Sequence, residues 1–165
     1  MGLVGYGEIG KRTARLAEAF GMRVLACASR PREGLTNLET VLRQSDIISL
    51  HCPLTAANTG FINRDTIAMM KPGAILINTA RGGLLNEADV REALESGRLG
   101  ACAVDVVSVE PMKADNPLLG APNCLITPHI AWAPRETRAR LIQIAADNVT
   151  AFLQGHPAND VSSRA

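Results

Sequence analysis

The sequence lacks the long apolar runs and the charge excess that mark several classes of protein. Its longest apolar stretches, such as residues 74–77, are far shorter than the ~20 residues that cross a bilayer. Seventeen basic side chains oppose 16 acidic ones, so a net charge of +1 provides no basic stripe for a nucleic-acid backbone. These absences predict a cytoplasmic protein that binds neither a membrane nor nucleic acid.

Paired cysteines are also missing. The four cysteines are widely spaced and form no C-x-x-C motif, so the sequence favours neither a zinc cluster nor a disulfide framework: Cys27, Cys52, Cys102 and Cys124. We interpret them as small hydrophobic residues of strands and adjoining turns, and we predict no metal site.

The sequence alternates apolar runs of strand type with helical patterns. This alternation predicts an α/β domain built of βα units around a doubly wound parallel sheet, and 165 residues suffice for one such domain. Strands are predicted near residues 2–5, 23–27, 46–50, 74–78, 101–105 and 124–127. Helices are predicted over residues 9–20, 38–43 and 64–69, from Asn86 to Gly97, and from Pro134 to about Gln154. Asn86 can cap its helix, with Asp89 at the third position accepting from free amides.

A glycine-rich turn follows the first predicted strand and opens the first helix. Gly5 permits a tight turn, Gly7 lets the backbone approach a pyrophosphate, and Gly10 lets helix and strand pack closely. The free amides around Glu8 and Ile9 lie at the positive end of the helix, where phosphates bind. This context predicts a Rossmann-type dinucleotide site, although other ligands use this turn and some such folds bind nothing.

The end of the second strand bears on the choice of cofactor. NAD-binding domains carry a carboxylate about 20 residues beyond the fingerprint, which accepts from the ribose 2′-hydroxyl. Residues 26–30 contain no carboxylate and end in Ser29 and Arg30. A hydroxyl and a guanidinium suit a 2′-phosphate, which predicts NADP(H) in preference to NAD(H). The alternative is that Arg30 and Arg32 are solvated loop charges.

Three reactive side chains follow later strands: Arg81, Glu110 and His129. The planar fork of Arg81 can pair with a substrate carboxylate, and His129 can exchange a proton near neutral pH. Glu110 would accept a hydrogen bond from the other ring nitrogen and favour the imidazolium. Beside a redox cofactor, this trio predicts hydride transfer between a nicotinamide and a 2-oxo or 2-hydroxy acid.

Each member of the trio has a simpler explanation when taken alone. His129 could be a capping or packed residue, Glu110 a solvated loop acid, and Arg81 a brace for its own turn. Another histidine, His51, also follows a strand, but no companion acid is identifiable, so we interpret it as a wall of the adenosine site. The fingerprint and the shared sheet edge favour the catalytic interpretation.

In order and spacing, the motifs resemble a known family. Over about residues 2–155 the sequence resembles the nucleotide-binding domain of the D-isomer-specific 2-hydroxyacid dehydrogenases, and within them the glycerate dehydrogenase/hydroxypyruvate reductase branch. The boundaries predicted are therefore a dinucleotide-binding domain over 1–155 and a polar tail over 156–165. The likeness rests on residues 5–10, 51–55, 78–82, 105–111, 115–119 and 127–133.

The resemblance implies a role for each site residue. Arg81 would bind the substrate carboxylate, and His129 paired with Glu110 would be the acid/base in the reversible reduction of a 2-oxo acid to its D-hydroxy acid, of the hydroxypyruvate, glyoxylate or glycerate type. Further cofactor contacts are implied along the sheet edge: Cys52 and Pro53 at the adenosine, Thr59 near the phosphates, and Thr79, Ala80 and Asp105 at the nicotinamide end.

The resemblance also implies a substrate-binding lobe that closes over the nicotinamide, and a helix before the first strand that supports a homodimer. Neither is present in this sequence. We therefore expect the chain to bind cofactor but to turn over poorly by itself, because catalysis depends on excluding water and fixing geometry. Two alternatives remain: a dinucleotide-binding module without catalysis, and an interaction module like the transcriptional corepressors that resemble these dehydrogenases.

Overall fold

A parallel sheet organises the fold in this computed structural model, which describes residues 1–30 and 32–161. Its six strands lie in the order β2-β1-β3-β4-β5-β6, and every neighbouring pair is parallel. The doubly wound parallel sheet predicted from the sequence is confirmed. The strands are β1 (Gly2–Val4), β2 (Leu25–Cys27), β3 (Ile47–Leu50), β4 (Ala74–Asn78), β5 (Leu99–Val104) and β6 (Cys124–Ile126).

Helices follow the strands at nearly the predicted positions. They are α1 (Glu8–Ala19), α2 (Leu38–Gln44), α3 (Arg64–Met69), α4 (Glu87–Glu95) and α5 (Arg135–Leu153). Two 3₁₀ turns, Ala56–Asn58 and Gly82–Leu84, were not predicted, because three residues carry no detectable helical period.

The start of α4 combines one expected contact with one unexpected contact. The Asn86 side chain caps the helix by accepting from the Asp89 amide, as a helix N-cap does. The Asp89 carboxylate was predicted to accept from free amides of its own helix. Instead it accepts from the Arg64 amide at the start of α3, 3.0 Å away, so it ties two helix starts together.

The middle of the sheet is buried, and its strands carry apolar residues on both faces. Leu3, Ile48, Leu50 and Leu76 have no exposed surface, as expected for parallel strands covered on both sides. Helix α1 buries its small residues, Gly10, Ala14 and Ala17, which lets it lie close to the sheet.

The chain forms two compact units, Met1–His129 and a second that begins at Ile130 and contains α5. Of the polar tail predicted over 156–165, residues 156–161 form neither helix nor strand, and the remainder lies outside the described residues. No helix in the described part of the chain is long and apolar enough to span a membrane.

The strand order places the carboxyl ends of all six strands at one edge. From β1 the chain passes first to β2 on one side and then to β3 on the other, so the connections diverge at β1. Ligands of open α/β sheets bind in the crevice at such a point.

Candidate active site

The glycine turn after β1 is shaped by backbone packing at two of its three positions. Gly5 has φ +103°, and a Cβ there would lie 2.5 Å from the backbone of His51 and Cys52. A Cβ at Gly10 would lie 2.2 Å from the Gly5 carbonyl oxygen. Both glycines are therefore required by the fold itself, whatever the turn binds.

Gly7 is different, because a Cβ there would meet nothing within 4 Å. It occupies the N-cap of α1 with an ordinary φ of −80°, and as glycine it has no side chain that could cap the first amides of the helix. Packing of the chain does not require glycine at this position. An open backbone at the positive end of a helix does fit the phosphates of a dinucleotide.

Beside this turn lies a cleft of about 580 Å³, a volume typical of small-molecule sites. Its walls come from the segments after β1, β2 and β3. The predicted site residues Gly5, Gly7, Ser29, Cys52 and Pro53 are among those that line it.

Other residues predicted to contact the cofactor lie around this cleft rather than in its walls. Glu8 and Ile9 are exposed on the first turn of α1, and Gly10 is buried beneath the turn. The Thr59 hydroxyl donates to the Thr55 carbonyl, 3.0 Å away. Arg30 is exposed and does not line the cleft.

Arg32, which the sequence interpretation did not assign to the cofactor, lines the cleft, as does Ser29. The sequence places Arg30 directly at the end of the strand segment, which made it the natural choice. Only the path of the loop brings the later arginine to the cleft wall.

His51 forms part of the same wall, as expected. Its Nε2 lies 3.0 Å from the Ser49 hydroxyl, and burial lowers the pKa of the imidazole. Burial also raises the pKa of the Cys52 and Cys27 thiols. These three side chains of the cleft are therefore neutral near neutral pH.

The turn that carries Arg81 is braced by a buried amide. Asn78, with no exposed surface, donates from Nδ2 to the Arg81 carbonyl at 2.9 Å and accepts from the Ala80 amide at 3.0 Å. The exposed Arg81 donates from Nη1 to the Ala80 carbonyl, 2.7 Å away. Thr79 is exposed and Ala80 is half-buried. Asn78 was not singled out from the sequence, although this residue ends β4 and lies in the motif of residues 78–82.

Glu110 and His129 meet in a direct hydrogen bond. His129 Nδ1 lies 2.7 Å from Glu110 Oε2, and Glu110 Oε1 accepts from the Val107 amide at 3.2 Å. The bond from His129 is the largest cause, and the Val107 amide a smaller one, of a lowered pKa at the Glu110 carboxyl. Residues 19 positions apart are thus paired, as the sequence predicts.

His129 is held in an uncommon backbone conformation. Its φ is +53°, in the left-handed region that non-glycine residues seldom adopt. The His129 amide donates to the carbonyls of Asp105, at 2.8 Å, and of Thr127, at 3.0 Å. The Asp105 carboxylate is itself buried and accepts from the Thr127 hydroxyl at 2.5 Å. These bonds hold the imidazole against Glu110.

A second cleft of about 560 Å³ opens beside this pair. Asp105, Glu110, Thr127 and His129 are among its lining residues, whereas Arg81 is not. The structure therefore brings the acid and the imidazole to one cleft and leaves the guanidinium on a neighbouring turn.

Comparison with known proteins identifies the family. The family described as D-isomer specific 2-hydroxyacid dehydrogenase, NAD binding domain, matches residues 1–131. The chain belongs to this family. The family assignment confirms the resemblance drawn from the motifs and makes the chain a dehydrogenase-type NAD-binding domain.

Two curated members of the 2-hydroxyacid dehydrogenases are about half identical to the chain. It is 50% identical to a hydroxypyruvate reductase of Blautia hydrogenotrophica, covering 98% of the chain and 52% of that protein. It is 48% identical to a glycerate dehydrogenase of Methylorubrum extorquens, covering 99% of the chain and 52% of that protein. The chain thus spans about half the length of these relatives.

The fold agrees with a solved structure of the family. A D-lactate dehydrogenase from Lactobacillus jensenii, solved with NAD⁺, superposes with a TM-score of 0.87 at 33% identity. The match covers 96% of the chain and 53% of that protein.

Proposed function

We propose that the chain is the cofactor domain of an enzyme that transfers a hydride between NADP(H) and a small 2-oxo or D-2-hydroxy acid. Substrates of the hydroxypyruvate, glyoxylate or glycerate type are proposed, because the relatives include a hydroxypyruvate reductase and a glycerate dehydrogenase. The observation that carries the proposal is the Glu110–His129 hydrogen bond, since a module that only binds a nucleotide needs neither residue.

The proposed cofactor site is the cleft beside the glycine turn. The α1 amides and Gly7 would hold the phosphates, while Cys52 and Pro53 would face the adenosine. Thr79, Ala80 and Asp105 follow later strands and remain the proposed contacts of the nicotinamide end. When bound there, the nicotinamide supplies or accepts the hydride.

The protein itself would contribute a group that exchanges a proton with the substrate and a positive charge that binds the substrate carboxylate. With Nδ1 engaged by Glu110, His129 has Nε2 as the atom that can give a proton to a ketone oxygen or take one from a hydroxyl. The Glu110 carboxylate holds Nδ1 and so fixes the orientation of the imidazole ring. Arg81 is proposed to pair with the substrate carboxylate, a task for which a guanidinium has two parallel donors.

NADPH is expected to bind more tightly than NADH, because Ser29 and Arg32 line the cleft and residues 26–30 contain no carboxylate. Replacing Arg32 by alanine should raise the Kd for NADPH roughly 10-fold or more, the equivalent of one charge-assisted hydrogen bond, with little change for NADH. Isothermal titration with both cofactors measures this, and Arg30→Ala tests the neighbouring arginine in the same way.

Tighter binding of NADH would overturn the cofactor preference and leave the dehydrogenase proposal intact. If neither arginine affects NADPH binding, both are solvated loop charges.

Replacing Gly7 by alanine should separate binding from folding. A Cβ there meets nothing in the protein, so the free energy of unfolding should change by less than about 1 kcal/mol. The same methyl group would obstruct a pyrophosphate, and the Kd for NADPH should rise at least about 10-fold. Thermal unfolding and titration of one preparation give both quantities. Undiminished binding would place the phosphates elsewhere.

The function itself is tested by following NADPH oxidation in the presence of hydroxypyruvate or glyoxylate. Turnover supports the enzyme. Turnover is expected to be slow for a cofactor domain acting alone, so cofactor binding without turnover fits this domain as well as a binding module. No binding of either cofactor favours an interaction module. The cytoplasmic location and the homodimer remain predictions from the sequence.

A further inference from the structure

A buried carboxylate outside both clefts holds the loop that carries Glu110. Glu87 is the first residue of α4, only 8% exposed, and lines neither of the two clefts described above. A charge taken out of water is costly unless hydrogen bonds compensate it. The position of this carboxylate therefore depends on what it contacts.

The partners of Glu87 all lie on the segment after β5. Its Oε1 accepts from the Ser108 amide at 2.7 Å, and its Oε2 accepts from the Ser108 hydroxyl at 2.7 Å and from Asn116 Nδ2 at 2.9 Å. Asn116 is buried and in turn accepts from the Leu118 amide, which fixes the far end of the same segment. One carboxylate thus secures the loop at two points.

These bonds are adjacent to the contacts of Glu110. Val107, which donates to Glu110 Oε1, immediately precedes the residue that Glu87 holds. On the other side of the loop, a Cβ at Gly82 would lie 1.9 Å from the Val107 carbonyl carbon, so the two backbones are in contact. The loop is therefore clamped between the Arg81 turn and α4.

We propose that Glu87 is a positioning residue, which sets the Val107–Glu110 segment so that the Glu110 carboxylate meets His129. The proposal rests on the roles proposed for Glu110 and His129. Glu87 would act through the loop and touch no substrate.

The chemistry of the three donors requires a carboxylate at this position. Glutamine has nearly the same shape, but one of its two terminal atoms is an NH₂ donor. Whichever way the amide is turned, this NH₂ group would face a donor of the loop, where the carboxylate presents an acceptor oxygen. At least one buried donor would lose its partner, and the loop would shift to relieve the conflict.

The test is an NMR titration of the Glu110 carboxyl group in the wild-type chain and in Glu87→Gln. The Glu110 signal is assigned by its loss in Glu110→Gln. Two titratable groups set this pKa: the His129 bond lowers it and the Asp105 charge raises it. In Glu87→Gln the Glu110 pKa should rise towards its ordinary value, as the bonds to His129 and Val107 weaken. Glu95→Gln, on the exposed side of the same helix, should leave it unchanged.

Glu110 titration identical to wild type in a folded Glu87→Gln variant would overturn the proposal. If that variant does not fold, Ser108→Ala removes one donor and keeps the amide; a smaller rise supports the proposal and no rise overturns it. A rise in a chain that binds neither NADPH nor NADH would support the positioning of Glu110 and count against the proposed enzyme.

Discussion

Replacing His129 by glutamine should lower the rate of NADPH oxidation by hydroxypyruvate by about 10²–10⁴-fold, the usual contribution of a positioned acid/base. Glutamine keeps a polar side chain of similar length but cannot exchange a proton near neutral pH. Single-turnover kinetics with the chain in excess over NADPH measures the step. The Kd for NADPH should stay within about twofold, because the phosphates and the adenosine are proposed to bind in the first cleft, which His129 does not line.

Two matched variants make the result specific. Glu110→Gln keeps the imidazole but removes the carboxylate that holds its Nδ1, so it should also slow the reaction, by a smaller factor. His156→Gln, in the polar tail, should change nothing. A rate that survives in His129→Gln would show that the acid/base has been wrongly assigned.

The pH dependence follows from the same pair. The pKa of Glu110 is lowered in the folded chain, so the pair contributes stability above the ordinary pKa of 4.5, and loses it as the pH falls through the lowered value. The free energy of unfolding of wild type should therefore fall below pH 4.5 more steeply than that of Glu110→Gln. Urea unfolding over that range measures the difference.

Replacing Gly82 by alanine should destabilise the chain by about 3 kcal/mol, at the upper end of the range for overpacking. The new Cβ would lie 1.9 Å from the Val107 carbonyl carbon and 2.5 Å from the Ser108 nitrogen, so two backbone segments must separate. Urea unfolding gives the loss. The same separation should raise the pKa of Glu110, because its bond from Val107 lies on the displaced segment.

The neighbouring glycine provides the control. A Cβ at Gly83 would meet the Leu54 side chain, 2.8 Å from Cδ2, which is a flexible end that can rotate away. Gly83→Ala should therefore cost about 1 kcal/mol or less. Equal losses in the two variants would mean that contact with the Val107 backbone is not the cause.

The architecture was predictable because its signals are local. Apolar runs such as 47–50 and 74–78 alternate with helical patterns, and this alternation predicts a parallel sheet. The glycine turn, the cap at Asn86 and the order of the motifs were equally accessible. Local signals also predicted that Glu110 and His129 lie at one edge, since both follow strands.

The details of the site were not predictable, because they depend on paths through space. Arg32 reaches the cleft and Arg30 does not, although the sequence makes the earlier arginine the more natural candidate. Asp89 bonds to a neighbouring helix start and not to its own. In each case the distance along the chain gives no measure of the distance in the fold.

By itself the sequence determined the fold, the family and the strand end from which each reactive side chain emerges. The tertiary structure alone decided which of those side chains meet, and which buried groups hold them. Glu87 shows the reason. Its partners lie 21 and 29 residues away along the chain. Only the close packing of α4 against the loop after β5 explains why a carboxylate occupies that position.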